Sequence, residues 1–145
     1  MKNYFEIHEL VPPEIFNFWG EERSYWWTSQ IQWDAANLFR ELVGKPVKIN
    51  DYHWGGVYTE SGTRMPETRT GGGLSQHKFK CAIDVKVKGM SSFEMAEIVL
   101  QNQKKFLEIG VTTIEDPEKT QGEFQDWLHM DGRITKKGSI YVVNP

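Results

Sequence analysis

Cys81-Ala82-Ile83-Asp84-Val85-Lys86-Val87-Lys88, followed by Gly89-Met90-Ser91-Ser92-Phe93-Glu94, sets a strand signal directly before a helix signal. Ile83, Val85 and Val87 alternate with Asp84, Lys86 and Lys88, the period of a half-buried strand with its charges on the other face. Ser91 and Glu94 have the spacing of a capping box, which predicts a helix running to about Ile109 before Gly110 stops it. Beyond it, residues 111–114 and 127–130 are strand candidates, and Lys137-Gly138 predicts a hairpin turn into a last strand over 139–143.

Upstream, Ile31, Ala35, Leu38, Phe39 and Leu42 mark one face of an amphipathic helix over 28–43, closed by Gly44 and Pro46. Pro12-Pro13 favours a turn or helix start, and Ile15, Phe16 and Trp19 behind it repeat at helical spacing. Residues 47–54 alternate like a strand that Gly55-Gly56 ends. Helices and strands interspersed with short connections predict an α+β fold, a mainly antiparallel sheet packed with helices in a single domain over 1–145. The polar, Gly-rich stretch over 58–75 is long for a compact domain, and loops of that length are commonly functional.

At 145 residues, with 39% hydrophobic and 13% aromatic content, the chain can supply one compact core, to which its six tryptophans are assigned. A net charge of -3 with scattered lysines gives no basic footprint, so nucleic acid is not an expected partner. Cys81 is the only cysteine, which excludes an internal disulfide framework and a cysteine-rich zinc site. A bound metal must therefore be held by histidine and carboxylate. The first residues lack the apolar run of a signal peptide and no later run approaches the ~20 apolar residues of a membrane span. The expectation is synthesis in the cytoplasm without a signal peptide.

Ser75-Gln76-His77 and Ala82-Ile83-Asp84 place a His and an Asp seven positions apart, and Asp126-Trp127-Leu128-His129 adds a second His far downstream. Together these can make a site of two imidazoles and one carboxylate, which leaves a zinc ion one open position for a water of pKa near ~7. Residues an odd number apart on a straight strand point to opposite faces, so His77 belongs on the loop after Gly73 and Asp84 near the start of the strand. By the same parity Asp126 lies where the chain bends into the strand of His129, and that bend is expected to aim its carboxylate at a metal-bound water. Taken singly, these residues also admit plainer readings: His77 as a surface histidine, His129 as a buried structural one, Arg64 as a loop cation with Arg69 as its rival. Ser75 alone is a turn former.

Ser61-Gly62-Thr63-Arg64, then Ser75-Gln76-His77 through Ala82-Ile83-Asp84, then Asp126 three residues before His129, resembles the pattern of peptidase family M15. That family comprises zinc D-Ala-D-Ala carboxypeptidases and L-alanyl-D-glutamate endopeptidases, phage endolysins among them. Glu9-Leu10-Val11-Pro12 and the segment from Gly44-Lys45-Pro46 to Asn50 also look like phage-type members. The resemblance implies a hedgehog/DD-peptidase-like fold, Zn2+ on His77, Asp84 and His129, Asp126 as catalytic acid/base, and Arg64 and Ser75 as substrate-binding groups. An oxyanion forming on a peptide carbonyl also needs a fixed charge beside the metal, a role Arg64 suits. Where the family has a glycine between the first His and the Asp, this chain has Lys80, and glycine there often serves an unusual backbone angle. Asp131, two residues after His129, is a candidate to support the site from behind.

The function so implied is zinc-dependent hydrolysis of a peptide bond in bacterial peptidoglycan, associated with a phage or prophage and acting at the cell wall after release. The competing expectation is a non-catalytic structural or wall-binding virion protein that keeps the fold, which Lys80 favours and Asp126 disfavours.

Overall fold

A computed structural model describes residues 1–145. The helix predicted over 28–43 forms as α3, Gln30–Val43, because Ser29 and Gln32 make a capping box at its start and Gly44 takes the left-handed conformation (φ 65°) at its end. Its apolar face buries Ala35, Leu38 and Phe39 against Ile83 and Val85 in one hydrophobic core. Two shorter helices precede it, α1 (Ile7–Leu10) and α2 (Pro13–Ser24), which is kinked at Gly20. The capping box predicted at Ser91 forms: Glu94 N–H donates to Ser91 Oγ (3.1 Å) and Ser91 N–H to Glu94 Oε2 (2.7 Å). The helix behind it is split at Asn102 into α4 (Ser92–Gln101) and α5 (Gln103–Glu108). There the Asn102 side chain donates to the Ile98 carbonyl, an alternative to helix continuation that asparagine offers its own backbone.

The strands are β1 (Ala82–Val85), β2 (Thr113–Glu115), β3 (Leu128–Asp131) and β4 (Tyr141–Val143), in the order β1-β3-β2-β4. β3 pairs antiparallel with both β1 and β2, whereas β4 runs parallel to β2. The fold is thus α+β with a mixed sheet, and no hairpin joins β3 to the last strand. Instead residues 132–140 carry the chain past β2 to its far edge.

The strand predicted over 47–54 also does not form; a single bridge joins Lys48 to Lys86, and Tyr52–Trp54 is a 3-10 turn. Polar side chains at this point capture backbone that a ladder would use. Asn50 Oδ1 accepts Ser61 N–H (2.8 Å), Asn50 Nδ2 donates to the Val11 carbonyl (3.2 Å), and Asp51 Oδ1 accepts Tyr58 N–H (2.8 Å). β1 departs from the half-buried expectation too, since its charged face is covered: Asp84 and Lys86 are both buried. Nor do all the tryptophans join the core, for Trp26 is 66% and Trp54 63% exposed. No helix is long and apolar enough to cross a membrane.

Candidate metal centre

Asp84 on β1 stands directly opposite His129 on β3, so their side chains rise from the same face of the sheet. Asp131 follows His129 by two residues and shares that face, as does Glu115, two residues after the Asp131 partner Thr113. The opposite face carries Ile83, Val85, Ile114, Leu128 and Met130 into the core. Strand alternation therefore sorts this sheet into an apolar side and a buried polar side.

His77 reaches the polar side from a 3-10 turn, Gln76–Phe79, that ends at Lys80 in the left-handed conformation (φ 61°). This is the reversal that sends the chain into β1, and it explains why glycine suits the position. Lys80 holds the same geometry with anchoring of its own: its carbonyl accepts the Ser29 hydroxyl and its ammonium donates to the Trp26 carbonyl.

The Ser61-Gly62-Thr63-Arg64 segment is the frame around the cluster. The Gly62 backbone lies so close to Leu10 that an added Cβ would sit 2.1 Å from the Leu10 carbonyl oxygen, so only glycine fits. Its own carbonyl accepts from His77 Nδ1 at 2.7 Å. The Ser61 carbonyl accepts Asp84 N–H (2.7 Å) and the Ser61 hydroxyl accepts from the buried Lys86 ammonium (2.6 Å). Arg64 donates to Asp84 Oδ2 at 3.1 Å and, through Nε, to the Glu60 carbonyl at 2.7 Å.

Three ligand atoms converge. His77 Nε2 is 3.1 Å from Asp84 Oδ1, His129 Nδ1 is 2.9 Å from the same oxygen, and the two nitrogens are 3.1 Å apart. All three residues are buried and together can hold a metal ion. In a tetrahedral site with bonds of about 2.0–2.1 Å, ligand atoms stand about 3.3 Å apart, close to this spacing.

Hydrogen bonding makes the stronger case. A carbonyl only accepts, so His77 Nδ1 carries the proton toward Gly62, and His129 Nε2 carries one toward Asp131 Oδ2 (2.9 Å). Neutral imidazoles fixed in these tautomers leave Nε2 of His77 and Nδ1 of His129 as bare lone pairs, facing each other and a carboxylate oxygen. In that neutral state three buried acceptors face one another without a donor, which a metal ion between them or a proton on His129 relieves. Asp131, itself buried and held by Arg133, completes the carboxylate–histidine arrangement that orients a metal-binding imidazole.

The electrostatics agree. Burial alone would raise the Asp84 carboxyl, but His77 and His129 outweigh it and hold it well below the usual carboxylate range. Burial alone would lower His129, but its hydrogen bonds to Asp131 and Asp84 push it up to about 10. Without a metal, a proton on His129 supplies the missing charge. It stabilises the metal-free fold fully below about pH 6.5, and that contribution is lost as pH rises through about 10. Metal binding at pH 7 must displace this proton. The apparent affinity is therefore expected to rise about tenfold per pH unit between pH 7 and 9, with release of about one proton per ion. Calorimetry in buffers of differing ionisation heat measures both, and an affinity independent of pH would refute the proton's place.

The cluster forms the floor of a cleft of about 550 Å3, whose walls include Arg64, Ser75, Glu115, Lys119 and Trp127. Arg64 and Ser75, the expected substrate-binding groups, both line this cleft. Arg64 is committed to Asp84, however, and braces a candidate metal ligand.

The structure does not bring Asp126 to the cluster, which corrects the role expected from its spacing to His129. Its Oδ2 accepts Ser92 N–H (2.9 Å) at the first turn of α4 and its Oδ1 accepts Gly122 N–H (3.2 Å). The bend before β3 exists, but it turns the carboxylate toward a helix N-terminus, where negative charge is favoured. Asp126→Ala is expected to cost about 1–3 kcal/mol of stability, from two lost charge-assisted bonds and the helix-end charge, with metal affinity unchanged. Urea unfolding beside a zinc titration measures both.

The acid that does reach the cleft is Glu115 at the end of β2, with Oε1 3.9 Å from His129 Nδ1 and its side chain partly exposed. Its signal in the sequence is the alternation Thr113-Ile114-Glu115: Ile114 belongs to the core, so Glu115 must face the other way. No family model, curated protein or solved structure matches this chain.

Proposed function

We propose that the chain is a zinc-dependent hydrolase that cuts a peptide bond in the stem peptide of bacterial peptidoglycan. The observation that carries this reading is a preformed set of two imidazoles and one carboxylate sharing a cleft with Glu115, a carboxylate that no ligand position uses. A zinc ion held by His77, Asp84 and His129 would supply an activated water at neutral pH and polarise the scissile carbonyl.

The chain's own residues do the rest. Glu115 lies within one water's reach of the ligand cluster, where it takes the proton of the attacking water and returns it to the leaving amine. Asp131 and the Gly62 carbonyl hold the two imidazoles in the tautomers that present a lone pair to the ion. Arg64 fixes Asp84, and Lys119 at the cleft wall offers a cation to an anionic stem peptide. Ser75, also on the wall, is placed to meet substrate.

The choice of peptidoglycan rests on the resemblance of the ligand order and of the Ser61-Gly62-Thr63-Arg64 segment to family M15, and with it the phage-associated, endolysin-like setting. A second reading, a wall-binding virion protein without activity, draws support from the withdrawal of Asp126 from the cleft. Glu115 weighs against it. The zinc-loaded chain is expected to release new amino groups from purified peptidoglycan and to stop when a chelator is added. Mass spectrometry of the fragments identifies the bond. Zinc uptake without release from walls of several chemistries would overturn hydrolysis in favour of the binding protein.

A further inference from the structure

Beside the metal cleft the protein displays indoles that its core does not use. Trp26 is 66% exposed, Trp27 is 36% exposed, and both lean on Trp19, with ring centroids 6.4 Å and 5.9 Å apart. Phe18, 79% exposed, packs edge-on against Trp19 at 5.1 Å. A contiguous exposed aromatic group of this kind marks a binding surface, since isolated folding gains nothing from it.

The group is held in place. The Arg23 guanidinium lies 5.8 Å from the Trp26 ring and the Lys80 ammonium 5.6 Å from the Trp27 ring. The Trp27 carbonyl accepts the Thr63 hydroxyl (2.6 Å) and the Trp26 carbonyl accepts Lys80 Nζ (3.4 Å). Thr63 adjoins Arg64, and Lys80 ends the turn that carries His77, so the aromatic group is tied to the frame of the metal centre. Between them lies a cavity of about 250 Å3 whose walls include Trp19, Trp27, Met65, Glu67, Lys78 and Arg64. Arg64 also lines the metal cleft, which makes the two spaces neighbours across one side chain.

We infer that this aromatic surface binds the glycan strand of the wall polymer, a β-1,4-linked N-acetylhexosamine chain, while the stem peptide enters the metal cleft. A pyranose ring offers a flat C–H face to an indole and a rim of hydroxyl and acetamide groups to hydrogen-bonding side chains, and this cavity pairs indoles with Glu67, Lys78 and Arg64. An anionic lipid surface fits less well, because Glu14, Glu21 and Glu22 on α2 flank the same aromatics. The inference rests on the peptidoglycan reading for the identity of the sugar and on the exposed indoles for the site.

The test is calorimetric titration of the zinc-loaded chain with the N-acetylglucosamine tetramer, alongside co-sedimentation with purified peptidoglycan. Saturable binding is expected, weakened at least about fivefold in Trp26→Ala, further in the Trp26→Ala/Trp27→Ala double variant, and retained in Trp26→Phe, which keeps a ring. Trp54→Ala is the control, since Trp54 is comparably exposed but packs edge-on against His8 at a different cleft, apart from the Trp19, Trp26 and Trp27 group. Trp26→Ala should also slow release from intact wall more than it slows hydrolysis of a sugar-free stem peptide. Absence of tetramer binding overturns the inference whether or not hydrolysis is found, and so does an equal loss in Trp54→Ala. A concentration-dependent dimer that Trp26→Ala dissolves, without sugar binding, assigns the surface to a second copy and overturns it as well. Tetramer binding in a chain that releases nothing supports the glycan site and counts only against hydrolysis.

Discussion

Glu115→Gln is expected to lower the release of amino groups from peptidoglycan by about 10²–10⁴-fold, the range for loss of a general acid/base, while bound zinc and stability stay as in the parent chain. Glutamine keeps the size and the hydrogen-bonding reach of the side chain and removes only its basicity. The expectation follows from placement: β2 delivers Glu115 to the polar side of the sheet with Oε1 3.9 Å from His129 Nδ1, close to the ligands without a ligand's distance. Asp126, the acid at the spacing of the family pattern, is engaged by Ser92 and Gly122 backbone amides instead. The pair of variants therefore separates the two assignments. Full activity in Glu115→Gln together with its loss in Asp126→Ala, at equal zinc content, would return the role to Asp126.

Asp84→Ala is expected to abolish zinc binding and to destabilise the fold by about 3–5 kcal/mol, the cost of leaving a buried charge without its partner. Asp84 Oδ1 sits between both imidazoles while Oδ2 accepts from Arg64, so one carboxylate serves the imidazole pair on one side and the guanidinium on the other. Removing it strands Arg64 and leaves two imidazole lone pairs facing a void. A fall in the urea midpoint with an unchanged slope would show that stability alone has moved. Near-parent stability together with retained zinc would mean that the ion is held elsewhere.

What was legible in the sequence was local. The periods of 3.6 and 2 found α3 and β1, and the Ser91 cap set the start of α4, because those signals depend on neighbours a few residues away. The parity argument also put His77 off the strand and Asp84 on it, as the structure has them. Long-range pairing was not legible. Lys137-Gly138 has turn chemistry, but the partner of β4 is chosen by packing, and β2 offers it a parallel edge. Residues 47–54 alternate correctly, yet Asn50 and Asp51 spend their side chains on distant backbone. Asp126 shows the same limit at the site, since spacing can require a bend without fixing the direction in which it turns. Glu115 lies one residue beyond the strand that the sequence predicts over 111–114, and β2 extends to include it.

Everything chemical depends on one cation between Nε2 of His77, Nδ1 of His129 and Oδ1 of Asp84. X-ray absorption at the zinc edge, on chain loaded with one equivalent of zinc, reads that contact directly. The expected spectrum has two imidazole nitrogens and light-atom oxygen ligands at about 2.0–2.1 Å, and the imidazole scattering disappears in Asp84→Ala. A fully hydrated ion, or an imidazole signature that survives Asp84→Ala, would contradict the site.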